Sequence, residues 1–195
     1  IEPCYHDFAL ISYTADNYFE IVEVESQRVV ACAEVSGILN VTAGFIHAGF
    51  WANRETIIMV DMTGTVNGIG GGALHKYIWN DSNMTLTYVT SLSMGTDDIK
   101  QGRNTTSTKP IAGGTHADSN GIAFITDAKG GGSFVDVTSM QVAANIKAGD
   151  MGQCQGGGGL WVYADTYAGT EHTNKLVAIY GKQSLATSCT VVLDV

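Results

Sequence analysis

Proline is nearly missing from this chain, two residues in 195, against 24 glycines. Turning is therefore left to glycine, as in tight hairpins. Cations are scarce too: ten Lys and Arg against nineteen Asp and Glu give a formal net charge of −9. A surface so poor in Lys and Arg lacks the phosphate contacts that nucleic acid and anionic membrane require, which argues against both as partners. No apolar run approaches the length of about 18 residues needed to cross a bilayer, so no membrane span is expected. No long segment carries a 3.6-residue apolar period, which argues against an α-helical core. The signatures of common chemistry are missing as well. There is no His-x-x-x-His or Cys-x-x-Cys ligand pair, no Gly-x-Ser-x-Gly elbow and no haem-attachment motif. The glycine tracts Gly70-Gly71-Gly72 and Gly156–Gly159 lack the Lys-Ser/Thr ending of a phosphate loop. No Ser-His-Asp order with supporting context stands out, and no reaction can be named.

What is present is a repeat. Four stretches lead into an apolar strand that ends in aspartate: Phe8 to Asp16, Glu55 to Asp61, Gly121 to Asp127 and Gly159 to Asp165. A His or Cys precedes each one, namely His6, His47, His116 and Cys154. After Asp127 come a glycine turn, a strand over Ser133–Val137, a polar turn and a strand over Gln141–Ile146. Met140–Ala148 can also be read as a short helix, but its place in the repeat predicts a strand. The first copy runs in the same order through Tyr18–Val24 and Arg28–Ala33, and the last through Lys175–Tyr180 and Leu185–Leu193. These segments are β-branched or aromatic and bounded by Gly, Asn, Asp or Ser. Short antiparallel strands repeated about every 40 residues predict an all-β, β-propeller-like domain of about four blades. The expected units are 4–38, 45–95, 114–150 and 152–195, with a long loop at 93–114 that is either a plain surface loop or a binding or assembly loop.

The unit resembles the blade of the YVTN-type β-propellers, relatives of the lactonase and nitrous oxide reductase propellers. His116 to Gly149 carries the resemblance best, 6–37 and 154–193 less so, and the second copy is irregular. That family usually has seven blades, whereas four are counted here.

Two features point to an extracellular or cell-surface location. Four Asn-x-Ser/Thr sequons start at Asn40, Asn80, Asn83 and Asn104, three of them in the irregular region 80–106. The four cysteines fall at paired repeat positions in the first and last copies. Three connectivities are possible; the favoured one is Cys4–Cys154 with Cys32–Cys189, which would lock a ring seam. The chain opens at Ile1 without a signal-peptide pattern, as expected of a mature, processed N-terminus.

Candidate sites follow from the repeat. His6, His47 and His116, with Cys154, would converge on a propeller axis and there bind copper or zinc. The structural reading is that each His caps its blade on a backbone carbonyl; His75 and His172 receive no role. Asp16, Asp61, Asp127 and Asp165 are either a cation ring or strand-end turns whose carboxylates accept backbone N–H groups. Trp51, Trp79 and Trp161, with Tyr5, Tyr77, Tyr163 and Tyr167, are either a carbohydrate-stacking surface or core between blades. The expectation is a secreted, glycosylated module that self-associates into a filament or surface layer. Its strand-forming ends, Ile1–Phe8 and Thr190–Val195, would pair with neighbours, and Val191→Lys would block that pairing. The alternative is a metal-binding protein or metalloenzyme built on the three histidines.

Overall fold

The computed structural model describes residues 7–13, 16–96, 98–99, 111–114, 121–127, 132–146, 160–164, 175–181 and 188–194. Apart from the helical pair Asp98–Ile99, the regular structure there is β. The strands are β1 (Phe8–Tyr13), β2 (Tyr18–Glu23), β3 (Arg28–Glu34), β4 (Val41–Thr42), β5 (Ile46–Trp51), β6 (Thr56–Asp61), β7 (Thr65–Val66), β8 (Ala73–Asn80) and β9 (Thr85–Ser93). They continue as β10 (Ile111–Gly114), β11 (Ile122–Asp127), β12 (Gly132–Asp136), β13 (Gln141–Ile146), β14 (Leu160–Ala164), β15 (Lys175–Gly181) and β16 (Ser188–Asp194).

Four sheets follow one another along the chain, ordered β1-β2-β3, β5-β6-β8-β9, β10-β11-β12-β13 and β14-β15-β16. Every pairing within them is antiparallel. A two-stranded ribbon, β4 with β7, branches from the second sheet. The alternation in Tyr18–Glu23 is that of a strand with one dry face: Phe19 and Ile21 are buried, while Tyr18 and Glu20 lie on the other side. The segment Gln141–Ile146 is a strand, which rules out the helical reading.

The second sheet explains why its copy of the repeat looks irregular. All six residues of β6 are buried. Ile57 and Met59 pack with Leu10, Phe19 and Ile21 of the first sheet. Ile58 and Val60 pack with Ala123, Ile125 and Val135 of the third. A strand covered on both faces needs a continuous apolar run instead of alternation. The approach is close: a Cβ on Gly49 of β5 would stand 2.7 Å from Leu10 Cδ2 of β1.

Two boundaries differ from expectation. Thr85–Ser93, within the region read as irregular, is a nine-residue strand. Asn80 to Thr85 is therefore a hairpin turn and not open loop. Ile111–Gly114, assigned to the long loop, is the first strand of the third sheet. Between sheets, β1 touches β5, β5 touches β10, and β10 touches β14, so the first strand of each sheet meets the first strand of the next.

Candidate functional site

Among the described side chains, the most elaborate polar constellation is buried in the second sheet. Asp61 ends β6, and His75 and Ser91 are direct cross-strand partners on β8 and β9. The Asp61 carboxylate accepts from the amides of Gly44 at 3.0 Å, Phe45 at 2.8 Å, Thr63 at 3.3 Å and Gly64 at 2.8 Å. Its Oδ2 also lies 3.3 Å from His75 Nε2. His75 Nδ1 stands 2.7 Å from Ser91 Oγ, which is 2.9 Å from the Tyr88 hydroxyl. With the carboxylate ionised, Nε2 donates to Asp61, and in the neutral imidazole Nδ1 then accepts the Ser91 proton. Burial pushes the Asp61 carboxyl up, but the His75 hydrogen bond and the Gly44 and Phe45 amides outweigh it and hold the group below its ordinary value.

This is an Asp-His-Ser relay in chain order Asp61, His75, Ser91, a set that sequence reading did not single out. Its geometry is that of a clamp. Asp61 and His75 are fully buried, and the carboxylate spends its lone pairs on four amides of the two loops that flank the β4–β7 ribbon. The strand-end reading of the repeated aspartates thus holds at Asp61. At the end of β12, Asp136 does the same, accepting from Thr138 N at 2.8 Å, Ser139 N at 3.2 Å and Ser139 Oγ at 2.8 Å. The clue to the relay was a histidine inside Ala73–Trp79, a stretch that is apolar apart from His75 and Lys76. Its partners lie 14 and 16 residues away, so no local motif marks them.

A second constellation is partly exposed. The outward face of the first sheet carries the cross-strand row Tyr13, Tyr18, Glu34 and, beside it, the row Ile11, Glu20, Cys32. Both tyrosine hydroxyls donate to one carboxylate, Tyr13 to Glu20 Oε2 at 2.9 Å and Tyr18 to Glu20 Oε1 at 2.8 Å. Their ring centroids are 5.5 Å apart and tilted by 43°. The hydrogen bond to Glu20 raises both phenols, and the Cys32 thiol beside Tyr18 adds to the effect there. Ser36 Oγ donates to Glu34 Oε2 at 3.0 Å.

The other predicted site residues are placed as follows. Cys32 is exposed with a free thiol, so this structure does not hold a Cys32–Cys189 bridge. Cys32 lies on the outer face of the first sheet, beside Glu20 and Tyr18. Cys189 lies on β16 opposite Tyr180, while Cys4 and Cys154 fall outside the described residues. His47 is the bulge residue of β5, between Ile46 and Ala48. His6, His116 and His172 fall outside the described residues, as does Asp165. No cluster of three or more His, Cys, Asp or Glu residues suited to a metal ion occurs among the described residues. Trp51, Tyr77 and Trp79 are buried in the core and offer no stacking surface. Tyr5 and Tyr167 lie outside the described residues, and Trp161 and Tyr163 lie on β14.

Asn40, Asn80 and Asn83 are exposed, and Asn104 lies outside the described residues. In the hairpin turn, Asn80 Oδ1 accepts from Ser82 N at 3.0 Å and Asn83 Oδ1 from Thr85 Oγ1 at 2.6 Å. In both, the turn engages the amide oxygen and not the nitrogen that a glycan would occupy. Protein from its natural source is expected to carry glycan on at least one of Asn80, Asn83 and Asn104. Intact-mass measurement checks this, and a mass equal to the bare chain would contradict it.

The geometry defines an all-β chain of antiparallel meander sheets. No family model matches it, so the YVTN-type resemblance rests on the repeat residues alone. No curated protein matches it. Among solved structures it is similar to Saccharomyces cerevisiae Sqt1, at 9% identity and a TM-score of 0.46. That match covers 92% of this chain and 54% of Sqt1, so the chain spans about half the length of that protein. No helix of the described residues is long and apolar enough to cross a membrane.

Proposed function

We propose that the four sheets are successive blades of a β-propeller-type fold, and that the protein is an extracellular, glycosylated interaction module that self-associates through the outer strands of its blades. The blade reading is supported by the meander order of each sheet and by the contacts between successive first strands. The observation that carries self-association is the character of the last strands. β9 is nine residues long, ends its sheet, exposes Tyr88 and Val89, and has no charged residue. β13 ends its sheet and has no charged residue either. Uncharged edges with unpaired N–H and C=O groups are templates for strand addition, which proteins normally blunt with charge.

The test is a variant carrying Thr87→Lys and Ala143→Lys, both at exposed edge positions. It is expected to stay folded by circular dichroism and to lose the assemblies that the wild type forms, as seen by light scattering and electron microscopy. A wild type that is monomeric at high concentration, or a variant that assembles equally well, contradicts the proposal. Stoichiometric copper or zinc in such a monomer would instead favour ligation through His6, His47 and His116.

A further inference from the structure

We propose that the open face of the first sheet is a recognition surface for a cationic, extended segment of a partner protein, with Glu34, Tyr18 and Tyr13 forming the subsite for a Lys or Arg side chain. The second sheet shows what a covered sheet looks like here, with apolar residues on both faces. The first sheet is different. Phe19 and Ile21 face the core, but the opposite face is open: Tyr13 is 41% and Val29 51% exposed, and Cys32 is exposed.

Three observations identify the occupant. First, charge: residues 7–37 hold six acidic residues and a single basic one, Arg28. A second copy of a chain with net charge −9 is repelled from such a face, whereas a basic segment is drawn to it. Second, the aromatic pair: an exposed ring, Tyr13, and a half-buried one, Tyr18, with both hydroxyls tied to Glu20, are held in place before any ligand arrives. Their faces, next to a carboxylate, suit a guanidinium or ammonium group. Third, topology: β3 ends its sheet, and the row Tyr13, Tyr18, Glu34 finishes on it. A strand added along β3 places alternate side chains directly opposite Glu34 and Cys32, within reach of Tyr18. A cation at the first of these positions meets carboxylate and ring together. β3 lies against β9, but Tyr13, Tyr18 and Glu34 lie on β1, β2 and β3, whereas the self-association test alters Thr87 and Ala143, so each test can fail while the other succeeds.

The probe is a fluorescent nonapeptide alternating threonine and arginine, titrated by anisotropy onto the full chain at low ionic strength. The same peptide with glutamate in place of arginine is the control. Binding is expected for the arginine peptide only. Tyr13→Ala and Glu34→Gln are each expected to weaken it by about two- to fivefold. Glu25→Gln, which removes the same charge from the β2–β3 turn, is expected to leave it unchanged. Iodoacetamide labelling of Cys32, resolved by peptide mapping, reports occupancy of the face independently, and the peptide is expected to slow it. Equal weakening by Glu25→Gln and Glu34→Gln, binding of both peptides, or no binding overturns the proposal. So does a Cys32 that resists labelling before peptide is added, because the chain or a second copy then already covers the face.

Discussion

Asp61→Ala is expected to destabilise the protein by about 3–5 kcal/mol, because it strands several buried donors at once. Four backbone amides and His75 Nε2 converge on that carboxylate, and alanine can accept from none of them. Two loops would lose their anchor together, the one entering β5 and the one leaving β6. Asp61→Asn keeps one acceptor oxygen and should fall between alanine and wild type. The effect depends on pH in a defined direction. The carboxyl is held below its ordinary value in the folded protein, so its contribution is complete above the unfolded-chain value of about 3.9. It is lost as pH falls through the lower, folded value. Urea unfolding at neutral and acidic pH checks both points. The gap between wild type and Asp61→Ala should be wide at pH 7 and narrow in acid. A gap under about 1 kcal/mol at pH 7, the worth of one ordinary hydrogen bond, would remove the clamp from the account.

The second large effect concerns β6. Ile57 and Ile58 are adjacent in sequence, both fully buried, and belong to different cores. Ile57→Ala and Ile58→Ala are each expected to cost about 2–5 kcal/mol, the range for truncating a buried Ile to Ala. A strand with one wet face would show one large and one negligible loss. Denaturant midpoints of the two variants distinguish the cases, and a loss confined to one of them would mean that the second sheet is not enclosed on both faces.

Legibility in the sequence followed the local signals. The first sheet could be read because Phe19 and Ile21 alternate with Tyr18 and Glu20, and the third because Gly132–Ile146 carries its turns in polar residues. Ile57–Val60 read as a strand but not as an enclosed one, since a continuous apolar run says nothing about what covers it. Thr85–Ser93 was obscured by its hydroxyl-rich composition and by the Asn80–Thr85 turn before it. The β4–β7 ribbon was hidden because two-residue strands leave no period to detect. Site residues were harder, for one reason: the bonds run across strands. Asp61 was marked by the repeat, yet its partner His75 was assigned no role, and Ser91 was invisible until β8 and β9 were paired. Glu20, Tyr13 and Tyr18 are ordinary strand residues until register places two hydroxyls on one carboxylate. Cys32 was read through the symmetry of the cysteines, and the structure shows it as an exposed free thiol.

Self-association through open strand edges is the central claim, and amide hydrogen exchange at low and high protein concentration tests it most directly. An added strand pairs with the outward N–H groups of an edge and leaves central strands as they were. The account predicts that amides of 85–89 and 141–146 gain protection as concentration rises, while those of β6 do not change. Protection that is independent of concentration at both edges, or that rises only elsewhere in the chain, would contradict it.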